Sequence, residues 1–71
     1  MHGHIVRLIR DRGFGFLVGK DDQVERFFHR SDCSGHNGAG FDQLTESQAV
    51  NFEPIAAPKG PRAENVRPAG E

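Results

Sequence analysis

Nine glycines and four prolines punctuate this 71-residue chain, and that punctuation constrains the fold more than any other feature. Both residue types interrupt regular structure, so they mark turns between short elements. The pieces between them read as strands. Ile, Val and Leu crowd residues 4–10, and Phe14–Val18 alternates large side chains with Gly15. Residues 24–29 carry Phe27 and Phe28, residues 49–54 carry Val50 and Phe52, and a last piece spans 63–67 around Val66. Five short strands separated by turn signals predict an all-β barrel or sandwich. Its expected core is Leu17, Phe28, Val50, Phe52 and Val66.

Helix has little room. Residues 42–49 could form one turn capped by Asp42 or Thr45, before Val50 and Phe52 resume a strand pattern. Residues 34–40 have three glycines and no large apolar group, so a flexible loop is expected there. The expected organisation is one domain over 1–67 and a flexible C-terminal tail over 68–71. A domain of this size buries only about 60% of the surface its unfolded chain exposes. The single Cys33 has no internal disulfide partner and is expected as a small buried hydrophobe. His2, His4, His36 and Cys33 fit no structural zinc spacing. The expectation is no metal and no cofactor.

Arg7 interrupts the apolar Ile5-Val6 pair, and no run approaches the ~18 apolar residues of a membrane span. The chain is expected to be soluble and cytoplasmic. Net charge is −1, which by itself gives no argument for an anionic partner. The distribution is more informative. Arg7, Arg10, Arg12, Lys20, Arg26 and Arg30 lie in the first thirty residues, whereas residues 38–58 carry Asp42, Glu46 and Glu53 with no Lys or Arg. One basic side can attract phosphates locally; a mixed solvated surface is the alternative.

The most informative stretch is Arg12-Gly13-Phe14-Gly15-Phe16-Leu17. Side chains alternate between the faces of a strand, so Phe14 and Phe16 share one face and Leu17 takes the other. Two exposed phenylalanines would be wasteful unless something flat stacks on them, and unpaired bases do so at roughly 1–3 kcal/mol each. Arg12 at the strand entrance could hold a phosphate. The pattern matches the basic-Gly-aromatic-Gly-aromatic ribonucleoprotein signature. The other reading puts both rings in the core and exposes Leu17. In Phe27-Phe28-His29, alternation puts Phe27 and His29 on one face and Phe28 in the core. If the two strands pair, four flat rings form one platform.

Over nearly its whole length the chain resembles the bacterial cold-shock proteins. The matching pieces are RGFGFL at 12–17, FFHRSD at 27–32, Gly40-Phe41, Leu44, QAVNFE at 48–53 and KGPRAENV at 59–66. They occur in the family's order and spacing. The resemblance implies a five-stranded antiparallel barrel of the oligonucleotide-binding (OB) kind. It implies binding of single-stranded RNA or DNA, with RNA-chaperone or transcription and translation regulatory roles. Carried over by position, the stacking residues are Phe14, Phe16, Phe27, His29 and Phe41. Arg12 and Lys59 face phosphates, and Gly60-Pro61 forms the turn before the last strand.

The first strand departs from the pattern. The family usually has Lys-Trp-Phe-Asn where this chain has Val6-Arg7-Leu8-Ile9, and the chain contains no Trp or Tyr. Arg7 could stand in for the tryptophan, because a guanidinium both stacks and neutralises phosphate. Arg30 occupies a position where the family often has Phe, again exchanging stacking surface for charge. Arg26 falls on the inward face with Val24 and Phe28. Either its stem covers the barrel end while its charge reaches water, or the register shifts there.

Enzyme chemistry is not expected. Asp21, Asp22 and Glu25 lie in a polar turn, and the adjacency of His29, Ser31 and Asp32 in sequence does not make a triad. The alternative function is a protein-interaction module on the same barrel with weakened nucleic-acid binding. A monomer, or a homodimer formed by strand exchange, is compatible with the sequence.

Overall fold

The computed structural model describes residues 1–70, apart from the side chains of His36 and Asn37. Five strands form a closed barrel: β1 (His2–Ile9), β2 (Phe14–Gly19), β3 (Glu25–His29), β4 (Ala49–Ala57) and β5 (Gly60–Pro68). Their order around the barrel is β1-β2-β3-β5-β4, closed by β4 on β1. The expectation of a wholly antiparallel barrel is corrected at one seam. β3 and β5 run parallel where they meet, through Phe27 and Arg62. The reason is arithmetic: five strands in a closed ring cannot alternate direction at every seam.

Burial follows the period of two where the strands are regular. Gly15, Leu17 and Gly19 of β2 point inward, as do Arg26 and Phe28 of β3. All five expected core residues are essentially inaccessible, joined by Ile5, Phe41, Leu44 and Ala63. Two irregularities adjust which side chains face in. In β1 the register steps from Ile5↔Leu17 to Arg7↔Phe16, leaving Val6 as the extra residue of a bulge. A bulge reverses the alternation beyond it, so Arg7 turns outward. In β5 the register steps from Asn51↔Arg67 to Glu53↔Glu64, and Asn65 adopts φ 51°. Asn tolerates that left-handed conformation, and Ala63 and Val66 both reach the core despite their spacing.

The connection between β3 and β4 is more ordered than its composition suggests. A 3₁₀ segment runs over His36–Gln43, where the sequence predicts a loop to residue 40 and a turn of helix from Asp42. Gly40 N–H donates to the Ser34 carbonyl at 2.8 Å. Phe41 and Leu44 anchor the segment by entering the core, and Phe41 meets Phe28 edge to face at 6.2 Å between centroids. At the other end, strand pairing continues past the expected tail boundary. Pro68 pairs with Val50, and Ala69 N–H donates to the Ala49 carbonyl at 3.0 Å. Glu71 lies outside the described residues.

Arg26 resolves differently from either expectation. The register is as read, with Leu17↔Arg26, but the charge is ion-paired on a side chain only 10% exposed. The residue is buried, and its guanidinium folds back onto Asp22 at 2.6 Å and lies 5.4 Å from the Phe52 ring centroid. A buried charge needs such a partner.

Candidate nucleic-acid interface

The β2–β3 ladder pairs Phe14 with His29, Gly15 with Phe28, and Phe16 with Phe27. Directly opposed residues on one face of an antiparallel pair sit within side-chain reach, so the outward set Phe14, Phe16, Phe27 and His29 forms one surface. Phe14 and Phe27 have centroids 5.5 Å apart with planes tilted by 35°. Phe16 packs edge-on to both, at 5.9 Å from Phe14 and 6.0 Å from Phe27. Edge-to-face and tilted pairs are favourable arrangements for such rings. They hold the three phenylalanines half-buried against one another on the outer face of the barrel.

The opposite face explains the glycine between the first two rings. A Cβ on Gly15 would come within 2.7 Å of the Arg7 carbonyl and 2.9 Å of Phe28 Cζ. Gly15 leaves room for Phe28 to fill the barrel while its neighbours face out.

His29 is exposed at the end of β3. Its Nδ1 accepts the Ser31 backbone N–H at 3.2 Å, which leaves Nε2 to carry the proton of the neutral ring. Its own backbone N–H donates to Asp32 Oδ2 at 2.9 Å, completing a reciprocal cap on the short 3₁₀ turn Arg30–Asp32.

Cationic side chains border the rings. The β1 bulge sets Arg7 opposite Phe16 and Ile9 opposite Phe14. Arg12 projects from the 3₁₀ turn Arg10–Arg12, exposed, and with Arg7, Ile9, Phe14 and Phe16 it lines a shallow concavity of about 360 Å³. Lys59 sits exposed in the β4–β5 turn. It lines a second concavity with Phe27 and Arg62.

Two expected site residues are placed otherwise. Phe41 is fully buried and offers no ring face to a ligand. Arg30 lies across it, with Cζ 5.1 Å from the Phe41 centroid. Nor is Arg30 a free cation. Its two terminal nitrogens donate to the two carboxylate oxygens of Asp42, at 3.0 and 2.6 Å. That hydrogen-bonded pairing raises the Arg30 pKa and lowers that of Asp42. The position that resembles a stacking phenylalanine is thus a closed ion pair over a core ring.

Sequence reading also missed two residues of this surface. Ile9 gave no signal, because its outward direction depends on the bulge at Val6. Arg62 lies within the matched segment 59–66 but was assigned no role. Its partner Asp32 is thirty positions away, and nothing local connects them.

Comparison with known proteins settles the family. A family model described as 'Cold-shock' DNA-binding domain matches residues 1–69. This chain belongs to the cold-shock domain family. It is 39% identical over 62 residues to a cold shock-like protein of Aquifex aeolicus, covering 87% of this chain and 84% of that protein. It is 40% identical over 57 residues to a probable cold shock protein A of Mycolicibacterium smegmatis, covering 80% and 81% respectively. It is 39% identical over 59 residues to the cold shock protein ScoF of Streptomyces coelicolor, covering 83% and 84%. Cold-shock domains bind nucleic acid and are not enzymes, and that is the general activity of this cold-shock domain. Among the described residues, no helix is long and apolar enough to cross a membrane.

Proposed function

We propose that this cold-shock domain binds single-stranded RNA or DNA by stacking successive bases on Phe14, Phe16, Phe27 and His29. Arg7, Arg12 and Lys59 meet the phosphates alongside. The observation that carries the reading is the cluster of three half-open phenylalanine rings within 6.0 Å of one another on an outer barrel face. Apolar rings gathered into one patch on an outer face are the kind of surface that marks a binding site. Stacking tolerates any base, which suits an RNA chaperone or a transcription or translation regulator in the cytoplasm that engages many strands. The cationic neighbours make binding depend on salt.

The test is a fluorescence titration of dye-labelled oligothymidine and oligouridine at low salt. Phe16→Ala is expected to weaken binding by about 1–3 kcal/mol and to leave the thermal midpoint near that of the parent. Unchanged affinity with a collapsed midpoint would show Phe16 to be a structural ring and the interface to lie elsewhere.

The competing reading is a protein-interaction module with weakened nucleic-acid binding. The Arg30–Asp42 pair favours it, because it withdraws one cation from the phosphates. Failure of the parent to bind either strand at low salt would select that reading.

A further inference from the structure

On the β5 side of the platform one arginine is held in place with part of its donor set spare. Asp32 is buried, with a side chain only 7% exposed. Its Oδ2 accepts from Nε of Arg62 at 3.1 Å and from one terminal nitrogen, Nη2, at 2.8 Å. The same oxygen takes the His29 backbone N–H, so the carboxylate is fixed to the end of β3. The Arg62 guanidinium sits 5.6 Å from the Phe27 centroid. Among the described residues, its other terminal nitrogen, Nη1, has no partner. The side chain is 35% exposed and opens onto a concavity of about 410 Å³ that it lines with Phe27, Ala57, Lys59, Gly60 and Pro61.

We infer that this corner is a guanine-reading subsite. Asp32 occupies one edge of the guanidinium, and the end of the fork is left to donate two parallel N–H bonds. That geometry matches the O6 and N7 acceptors of guanine. Lys59 adds a further donor, and no side chain lining the concavity is an acceptor. The exocyclic amino groups of adenine and cytosine therefore meet no side-chain acceptor. A phosphate also offers paired oxygens, but the Phe27 wall and the apolar Ala57 and Pro61 surfaces suit a flat base. The ion pair with Asp32 fixes the fork beforehand, so little rotamer freedom is lost when the base arrives.

The inference deepens the single-strand reading and rests on it. It is tested by titrating the whole protein with oligothymidine, and with strands carrying one guanine moved through each position. At one position guanine is expected to tighten binding about tenfold over thymine, and Arg62→Lys to bring that ratio close to one, so that the guanine strand loses about tenfold more affinity than oligothymidine does. The lysine keeps a positive partner for buried Asp32, so the fold is retained. Replacing that guanine with 7-deazaguanine removes the N7 acceptor from the ligand and leaves the protein untouched. Most of the gain should disappear.

Three results would overturn the inference while leaving single-strand binding intact. One is no guanine preference at any position. Another is a preference that survives both 7-deazaguanine and Arg62→Lys. The third is an equal loss on every strand in Arg62→Lys, which would assign Arg62 to a phosphate. Absence of binding to any strand would overturn the proposed function as well.

Discussion

Gly15 stands directly across the β2–β3 ladder from Phe28, and a Cβ there would come within 2.9 Å of the Phe28 ring and 2.7 Å of the Arg7 carbonyl. Neither neighbour can yield easily, one being a packed core ring and the other backbone. Gly15→Ala is therefore expected to destabilise the barrel by about 1–3 kcal/mol, the usual range for overpacking. The outward rings depend on the same ladder, so oligothymidine affinity should fall with it. A denaturation midpoint equal to the parent's would show that the sheet relaxes there freely.

Arg7 stands opposite Phe16, at the position where the cold-shock resemblance implies a tryptophan. Arg7→Trp removes a charge and restores a broad ring. The slope of log affinity against log salt should become shallower by about 0.7, the value for one phosphate contact on a single strand. Affinity should rise at high salt, and the gain should shrink or reverse at low salt, where the lost charge counts most. An unchanged slope and affinity would place residue 7 outside the contact surface.

Asp42 holds Arg30 through two hydrogen bonds. Asp42→Asn should release that cation toward the strand entering beside His29. Binding at low salt should tighten, and the salt slope should steepen by about 0.7. Identical titration curves for parent and variant would mean that Arg30 stays over Phe41 with or without its partner.

Two carboxylates make the fold sensitive to acid. Hydrogen bonds from Arg26 and Arg30 lower the pKa values of Asp22 and Asp42 beneath the ordinary 3.8. A group depressed on folding contributes stability above its unfolded pKa and loses it as pH falls through the folded value. The thermal midpoint should therefore be level near neutrality and drop below about pH 4. The double variant Asp22→Asn, Asp42→Asn should show a smaller drop over that interval. The same drop in parent and variant would move the acid sensitivity to other groups.

Cys33 is 7% exposed, and burial, reinforced by the Asp32 charge, pushes its thiol up to about 12. The thiolate is the reactive form, so an aromatic disulfide reagent at neutral pH should react slowly with the folded protein and quickly once it is unfolded. Equal rates in the two states would show that the loop after β3 opens readily.

What could be read along the chain was what depends on near neighbours. The period of two in Phe14-Gly15-Phe16-Leu17 and Phe27-Phe28-His29 puts the rings Phe14, Phe16 and Phe27 on the face opposite Leu17 and Phe28, because successive strand side chains must face opposite ways, but which face lies inside was decided by closure of the barrel. Glycine and proline spacing likewise marks five short strands, since few other residues accept the turns between them. Tertiary pairing decided the rest. Regular alternation from inward Ile5 would turn Arg7 into the core, and only the bulge against β2 sends it out beside Phe16. Phe41 left the expected interface because a 3₁₀ segment needed a ring to close over Phe28. Arg62 met Asp32 because closing an odd number of strands set β5 parallel to β3. Each of these outcomes hangs on which strand lies beside which, and no local pattern of residues encodes that.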